Sequence, residues 1–189
     1  MAFAGAVVES LRGGAQAGEA PLARGQRIAA PVAISTEAGA QVFLRFDDGM
    51  QIVLDGNSLL RVVDFRYAKG APEGRAVFEL LRGAARVVTG AVARDNPKQF
   101  FFRTPQTQLT VERPADFTVA LVNPAYVTVN AGTVLSSNGW GTVPLSAGST
   151  SAIATNAAAP ASIPAASLPP SASSAIGNLS AASVGPPLG

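Results

Sequence analysis

The stretch Gln41–Gly56, QVFLRFDDGMQIVLDG, decides how the chain is read. Val42, Leu44 and Phe46 alternate with Gln41, Phe43 and Arg45. After Asp47-Asp48-Gly49 the alternation resumes, with Ile52 and Leu54 against Gln51 and Val53. A period of two marks a pleated strand with one face buried. Asp bonds its own backbone in turns, and Gly supplies a positive φ without a Cβ clash. A metal loop would need further oxygen ligands close by, and none follow. Asp47, Asp48 and Gly49 are therefore read as a hairpin turn, not as a pair of reactive carboxylates.

The same rhythm extends outward from this hairpin. Strands are expected at 6–10, 27–33, 41–46, 50–54, 59–63, 76–81, 84–89, 99–104, 108–112, 117–122, 126–130 and 132–135. They recur every eight to twelve residues or so, with Gly, Asp, Asn or Pro between them. Arg82-Gly83 reads as a tight turn and Asn123-Pro124 as the start of another. No long amphipathic helix and no repeat of fixed length is visible. The expected fold is all-β, a compact sandwich or a solenoid-like domain over residues 5–146.

Composition narrows the chemistry. Apolar residues make up 48% of the 189-residue chain and charged ones 14%, so a core can form under a charge-poor surface. The formal net charge is +2, and twelve of the fourteen basic residues are Arg. They are scattered among acids and form no basic stripe, which argues against a nucleic-acid partner. The absence of Cys and His removes disulfides, thiol nucleophiles, the commonest general base and the commonest zinc ligand. No cofactor and no metal site is expected. No apolar run reaches the roughly eighteen residues that span a bilayer. The opening MAFAGAVVES lacks a basic n-region and a long apolar core. Ala2-Phe3-Ala4 followed by Gly5 nonetheless has the form of an export cleavage site, with chance in an Ala-rich chain as the alternative. A periplasmic or extracellular location is expected, with the signal peptide removed or trimmed.

Charge also divides the chain: no charged residue follows Asp116. Residues 147–189 are almost entirely Ala, Ser, Pro and Gly, dotted with Ile153, Ile163, Leu168, Ile176, Leu179 and Val184. This composition reads as an extended, polyproline-like tail that cannot form a core alone. Without charge it makes a poor solvated brush but a plausible strip for a groove. Those six residues, with Trp140, are the candidate interaction anchors.

Several segments together are similar to the FecR domain, named after the regulator of ferric citrate transport. They are GQRI, STEAGAQVFLRFDDGMQIVLDGNSLLRV, FELLRGAARVVTG and FFFRTPQTQLTVERPADFTV. The shared pattern runs through Thr36, Asp48, Gly49, Ser58, Gly83, Arg86, Thr89, Gly90, Pro105, Asp116 and Phe117, and covers residues from about Val7 to Val134. Where the family usually has a Gly-containing Ile-Gly-Val-Arg-Gly-Thr step, this chain has Leu109 to Ala115 with Arg113-Pro114, and Pro fixes φ instead of freeing it. The resemblance implies an extracytoplasmic all-β domain without enzymatic activity. In iron-signalling members a membrane helix joins it to a region that controls a sigma factor, and neither is found in this sequence.

Remaining candidates have simple structural readings beside the functional ones. Phe100-Phe101-Phe102, between Lys98 and Arg103, could stack sugars or bases, but a strand buried on both faces explains it. Trp140 is either an exposed anchor or a cap on the end of the core, the latter favoured because apolar area is usually buried. Asp64, Arg66, Glu73 and Arg75 read as weakly paired surface charges. Asn178-Leu179-Ser180 matches a glycosylation sequon formally. A glycosidase would need two acids across one cleft, drawn from Glu112, Asp116, Asp47 and Asp48. The leading expectation is a structural module acting through protein contacts, self-assembling through its charge-free half into an oligomer or filament. The alternative is a periplasmic sensor or ligand-binding module of a FecR-type signalling system, with another envelope protein as partner.

Overall fold

The computed structural model describes residues 4–155 and 157–188. The candidate cleavage site at Ala2–Gly5 falls partly outside this range. Its architecture is a β-sandwich, so the solenoid alternative is set aside. One layer, sheet A, contains β1 (Gly5–Arg12), β4 (Arg27–Ala29), β6 (Gln41–Phe46), β7 (Gln51–Leu54), β12 (Asp116–Leu121), β13 (Ala125–Ala131), β16 (Thr150–Ile153) and β17 (Ala161–Ile163). The other, sheet B, contains β2 (Ala15–Ala17), β3 (Ala20–Pro21), β5 (Val32–Thr36), β8 (Leu59–Arg66), β10 (Phe100–Arg103), β11 (Gln108–Val111), β14 (Thr133–Asn138) and β15 (Gly141–Ser146). β9 (Arg75–Val88) belongs to both. Its first half pairs with β8 and, in parallel, with β10; its second half pairs with β7 and β12.

This corrects the expectation of a turn at Arg82-Gly83. The chain does not reverse there but crosses from one layer to the other. Gly83, at φ +84°, permits the bend, and a Cβ on it would come within 2.1 Å of Ser58 Oγ. Local sequence cannot separate a turn from a crossing, because both require the same backbone conformation.

Six phenylalanines tie the layers. Phe46 and Phe117 from sheet A meet Phe65, Phe78, Phe100 and Phe102 from sheet B. Ring centroids lie 4.9 to 6.5 Å apart, mostly tilted or edge-on, as the aromatic quadrupole favours. Full burial of each such side chain contributes on the order of 2–3 kcal/mol.

The C-terminal stretch is not the uniform extended tail that its composition suggests. β16 and β17 continue sheet A beyond residue 146, and Ile153 is fully buried in the main core. α2 (Pro170–Ser180) then folds back over the outer face of the same sheet. Low charge and small side chains suit a polyproline strip in water. They equally suit close packing on a sheet, and burial decides between the two.

That overlay changes the burial pattern of the opening hairpin. Gln51 and Val53, on the supposed solvent face of β7, are buried, as is Phe43 on β6. Sheet A is covered on both faces here, so alternation in sequence did not translate into alternation in exposure.

Candidate functional site

The turn Asp47-Asp48-Gly49 joins β6 to β7, with Gly49 at φ +84°. Its two carboxylates point to different tasks. Asp47 pairs with Arg27 and accepts the Gly5 amide at 2.8 Å. Burial works to raise its pKa, but the Arg27 and Gly5 hydrogen bonds and the Arg27 charge outweigh it, leaving the pKa below the usual carboxylate range. Asp48 is buried and accepts Met50 N at 2.9 Å and Val92 N at 3.1 Å. It thereby caps, from another part of the chain, the short helix α1 (Ala91–Asp95), whose own N-cap Gly90 has no side chain to do so. Burial raises the Asp48 pKa despite these donors. A cleft flanked by two acids does not arise from this pair.

Three other positions that carry the family pattern are also committed to backbone. Thr36 Oγ1 donates to the Asp55 carbonyl and accepts Ser58 N. Ser58 Oγ accepts Ala84 N at 3.0 Å, beside the Gly83 crossing. Thr89 Oγ1 accepts Ala115 N at 2.8 Å, holding the end of the Arg113-Pro114 turn against β9. Each satisfies a buried backbone group that the irregular chain path would otherwise leave unpaired.

The densest polar cluster lies on the outer face of sheet A. Arg86 on β9 and Asp116 on β12 form a two-point ion pair, Nε to Oδ1 at 2.9 Å and Nη2 to Oδ2 at 2.7 Å. Their side chains are only 12% and 10% exposed. Asn130 Nδ2 donates to Asp116 Oδ1 at 3.2 Å. The remaining Arg86 nitrogen, Nη1, donates to the carbonyls of Leu179, Ser180 and Ala182 at 3.3 to 3.4 Å. A guanidinium thus sits where the carbonyls at the end of α2 need donors and where the helix dipole favours a cation.

Around this clamp the C-terminal segment is seated on apolar ground. Leu179 is fully buried against Phe43, Val53, Ala84 and Ala120, with Ile176 and Val184 packed alongside. Past the helix the chain runs extended. Gly185 N donates to Gln51 Oε1 at 2.9 Å, and Gln51 Nε2 donates to the Gly185 carbonyl at 3.3 Å. Leu188 N reaches the Thr89 carbonyl at 3.3 Å. Ile176, Leu179 and Val184 therefore contact their own chain. Ile163 and Leu168 are half-buried along the connecting stretch, and Ile153 is a core residue. Asn178, in the sequon, donates to Asp55 at 3.5 Å. Nothing in the sequence marked Gln51 as a residue that holds this segment; for Arg86 the one signal was its place, with Gly83, in the family pattern.

Trp140 is 66% exposed, at the tip of the β14–β15 hairpin. This corrects its reading as a cap on the core: the core end is filled by Leu145 and Val134, and the hairpin carries the indole beyond it. Phe101 is likewise not buried. Phe100 and Phe102 face the core, whereas Phe101 faces out, with the Arg75 and Arg103 guanidinium carbons 5.6 and 5.4 Å from its ring centroid. An open recess of about 520 Å³ beside it is lined in part by Lys98, Glu112 and Leu135. Asp64 pairs with Arg66 and Arg75 at the surface, at 3.0 and 3.2 Å. Of the four acids considered for glycoside chemistry, three are engaged: Asp47 by Arg27, Asp48 by backbone amides and Asp116 by Arg86. No group of three or more His, Cys, Asp or Glu among the described residues is placed to hold a metal ion. No helix among them is long and apolar enough to cross a membrane.

Residues 32–135 match a family described as FecR protein, which is more than half of the chain. Two crystal structures, at 1.65 and 2.50 Å resolution, of a candidate anti-sigma factor from Parabacteroides distasonis share the fold. Each aligns with a TM-score of 0.56 at 18% identity, over 70% of this chain and 59% of theirs. The chain thus spans less than two thirds of that protein. No curated protein matches the sequence significantly.

Proposed function

The chain belongs to the FecR protein family, a non-enzymatic module, and from that premise we propose that it serves outside the cytoplasm as the sensor of a FecR-type signalling system, acting by protein contact. The observation that carries this reading is Trp140. A large aromatic, 66% exposed on a hairpin in the charge-free half of the chain, has the chemistry of a binding anchor. The family's patterned residues are occupied in building the fold, which leaves recognition to surfaces such as this one. The likeness to a candidate anti-sigma factor supports a regulatory setting by analogy of fold. A photo-crosslinking residue at position 140, in cells of the producing organism, tests it. A single envelope-protein adduct is expected; adducts only between copies of this chain would overturn the sensor reading.

A second reading, self-assembly through the charge-free half, is favoured by the lack of charge repulsion along residues 117–189. Because α2 and the residues after it lie on their own sheet, assembly through this segment requires that it first be lifted.

A further inference from the structure

We propose that the outer face of sheet A is an exchangeable seat, and that a second copy of this chain fills it by lending its own residues 170–188. This rests on the self-assembly reading above and specifies how the contact is made.

The seat recognises a particular chain path. Ala84 and Ala120 are small enough for a helix to lie close, and Phe43 and Val53 supply apolar area beside them. Arg86 Nη1 addresses the terminal carbonyls of a helix. Gln51 then bonds both backbone groups of one residue, as a neighbouring strand would. A helix end followed by extended chain is what this surface reads, and the C-terminal segment of this same sequence supplies it.

The resident segment is held by the seat and not by itself. α2 has eleven residues, including Gly177 and four serines, and no side-chain N-cap. Isolated helices shorter than about 12–15 residues are marginal in water. Only Ala172 and Leu179 are buried within it. A recess of about 270 Å³ stays open between the segment, at Ala182 and Ser183, and Phe43, Arg45 and Val53.

The connection permits exchange. Between β17 and α2 lie residues 164–169, bounded by Pro164 and Pro169. Residues 165–167 form a single 3-10 turn; fully extended, the six would reach about 20 Å, and prolines at both ends keep the connection stiff. The contacts are the same whether the segment comes from its own body or a neighbour's, so tether length decides between them. With the natural tether, own-chain occupancy prevails until protein concentration nears the effective concentration of the tethered segment, on the order of mM.

Deleting residues 165–167 tests this, because shortening the tether lowers the effective concentration of the segment at its own seat. The deletion variant is expected to dimerise at µM concentration, about 1,000-fold below the natural chain, in light scattering after size exclusion. Since the chain has no Cys, Ala120→Cys and Leu179→Cys can be placed in separate copies of that variant. Mixing and oxidation should give a covalent dimer, lost when Arg86→Ala is added to the Ala120→Cys copy. A dimer without the 120–179 cross-link would overturn the exchange and leave self-assembly standing. A monomer with its C-terminal segment released to protease would overturn both.

Discussion

Arg86 and Asp116 face each other across adjacent strands of sheet A, joined at two points, with the end of α2 resting on the Arg86 nitrogen that Asp116 leaves over. Both belong to the family pattern, and in this chain they act as a pair. They set a buried charge pair on the outer face of the sheet, and the pair receives the C-terminal segment.

Removing one partner should therefore cost far more than removing both. Arg86→Met leaves Asp116 in a nearly dry site without its counter-charge and should lose about 3–5 kcal/mol of stability. Arg86→Met with Asp116→Leu should recover most of that loss. Urea unfolding of the two single variants and the double variant supplies the cycle; additive losses would contradict a coupled pair.

Gly83 marks the crossing of β9 between layers. Gly83→Ala places a Cβ in a left-handed backbone position against Ser58, and should destabilise by about 2–4 kcal/mol. Gly49→Ala, in the open hairpin turn, faces only the end of the Leu188 side chain and should cost less, about 1 kcal/mol. Equal losses in thermal or urea melts would argue that Gly83 sits in an ordinary turn.

The neighbouring acids Asp47 and Asp48 should give opposite pH signatures. Asp48 binds its proton more tightly when folded, because burial raises its pKa. Its contribution therefore falls as pH climbs from the unfolded value near 4 through the raised folded value. Asp47 has a lowered folded pKa, so its contribution is present above about pH 4 and is lost as pH falls through the folded value. Asp48→Asn should remove the descending component and, with one oxygen serving two amides, cost about 1–3 kcal/mol at neutral pH. Asp47→Asn should remove the ascending component. Urea midpoints measured from pH 2 to pH 8 separate them.

Thr118, on the outer face of β12, is fully buried and its hydroxyl has no hydrogen-bond partner among the described residues. Thr118→Val keeps the shape and removes the unpaired polar atom, and should stabilise by about 1 kcal/mol. A rise in thermal midpoint is the expected result. A fall would mean that the hydroxyl is satisfied in solution.

Much of the architecture was legible in advance. Period-two alternation placed most of the strands, Asp-Asp-Gly placed a hairpin, and the order of small motifs pointed to the FecR domain, because these features depend on local backbone preference and nearest neighbours. The sandwich, the passage of β9 between its layers and the meeting of Arg86 with Asp116 depended on residues far apart in sequence, and no local pattern encodes such distances. The C-terminal segment shows the limit most clearly. Its composition says only that it carries no charge and little bulk, which fits a free strip and a packed one alike. Burial against Phe43, Val53, Ala84 and Ala120, together with the donors on Arg86 and Gln51, decides the matter, and that surface exists only once the sheet has formed.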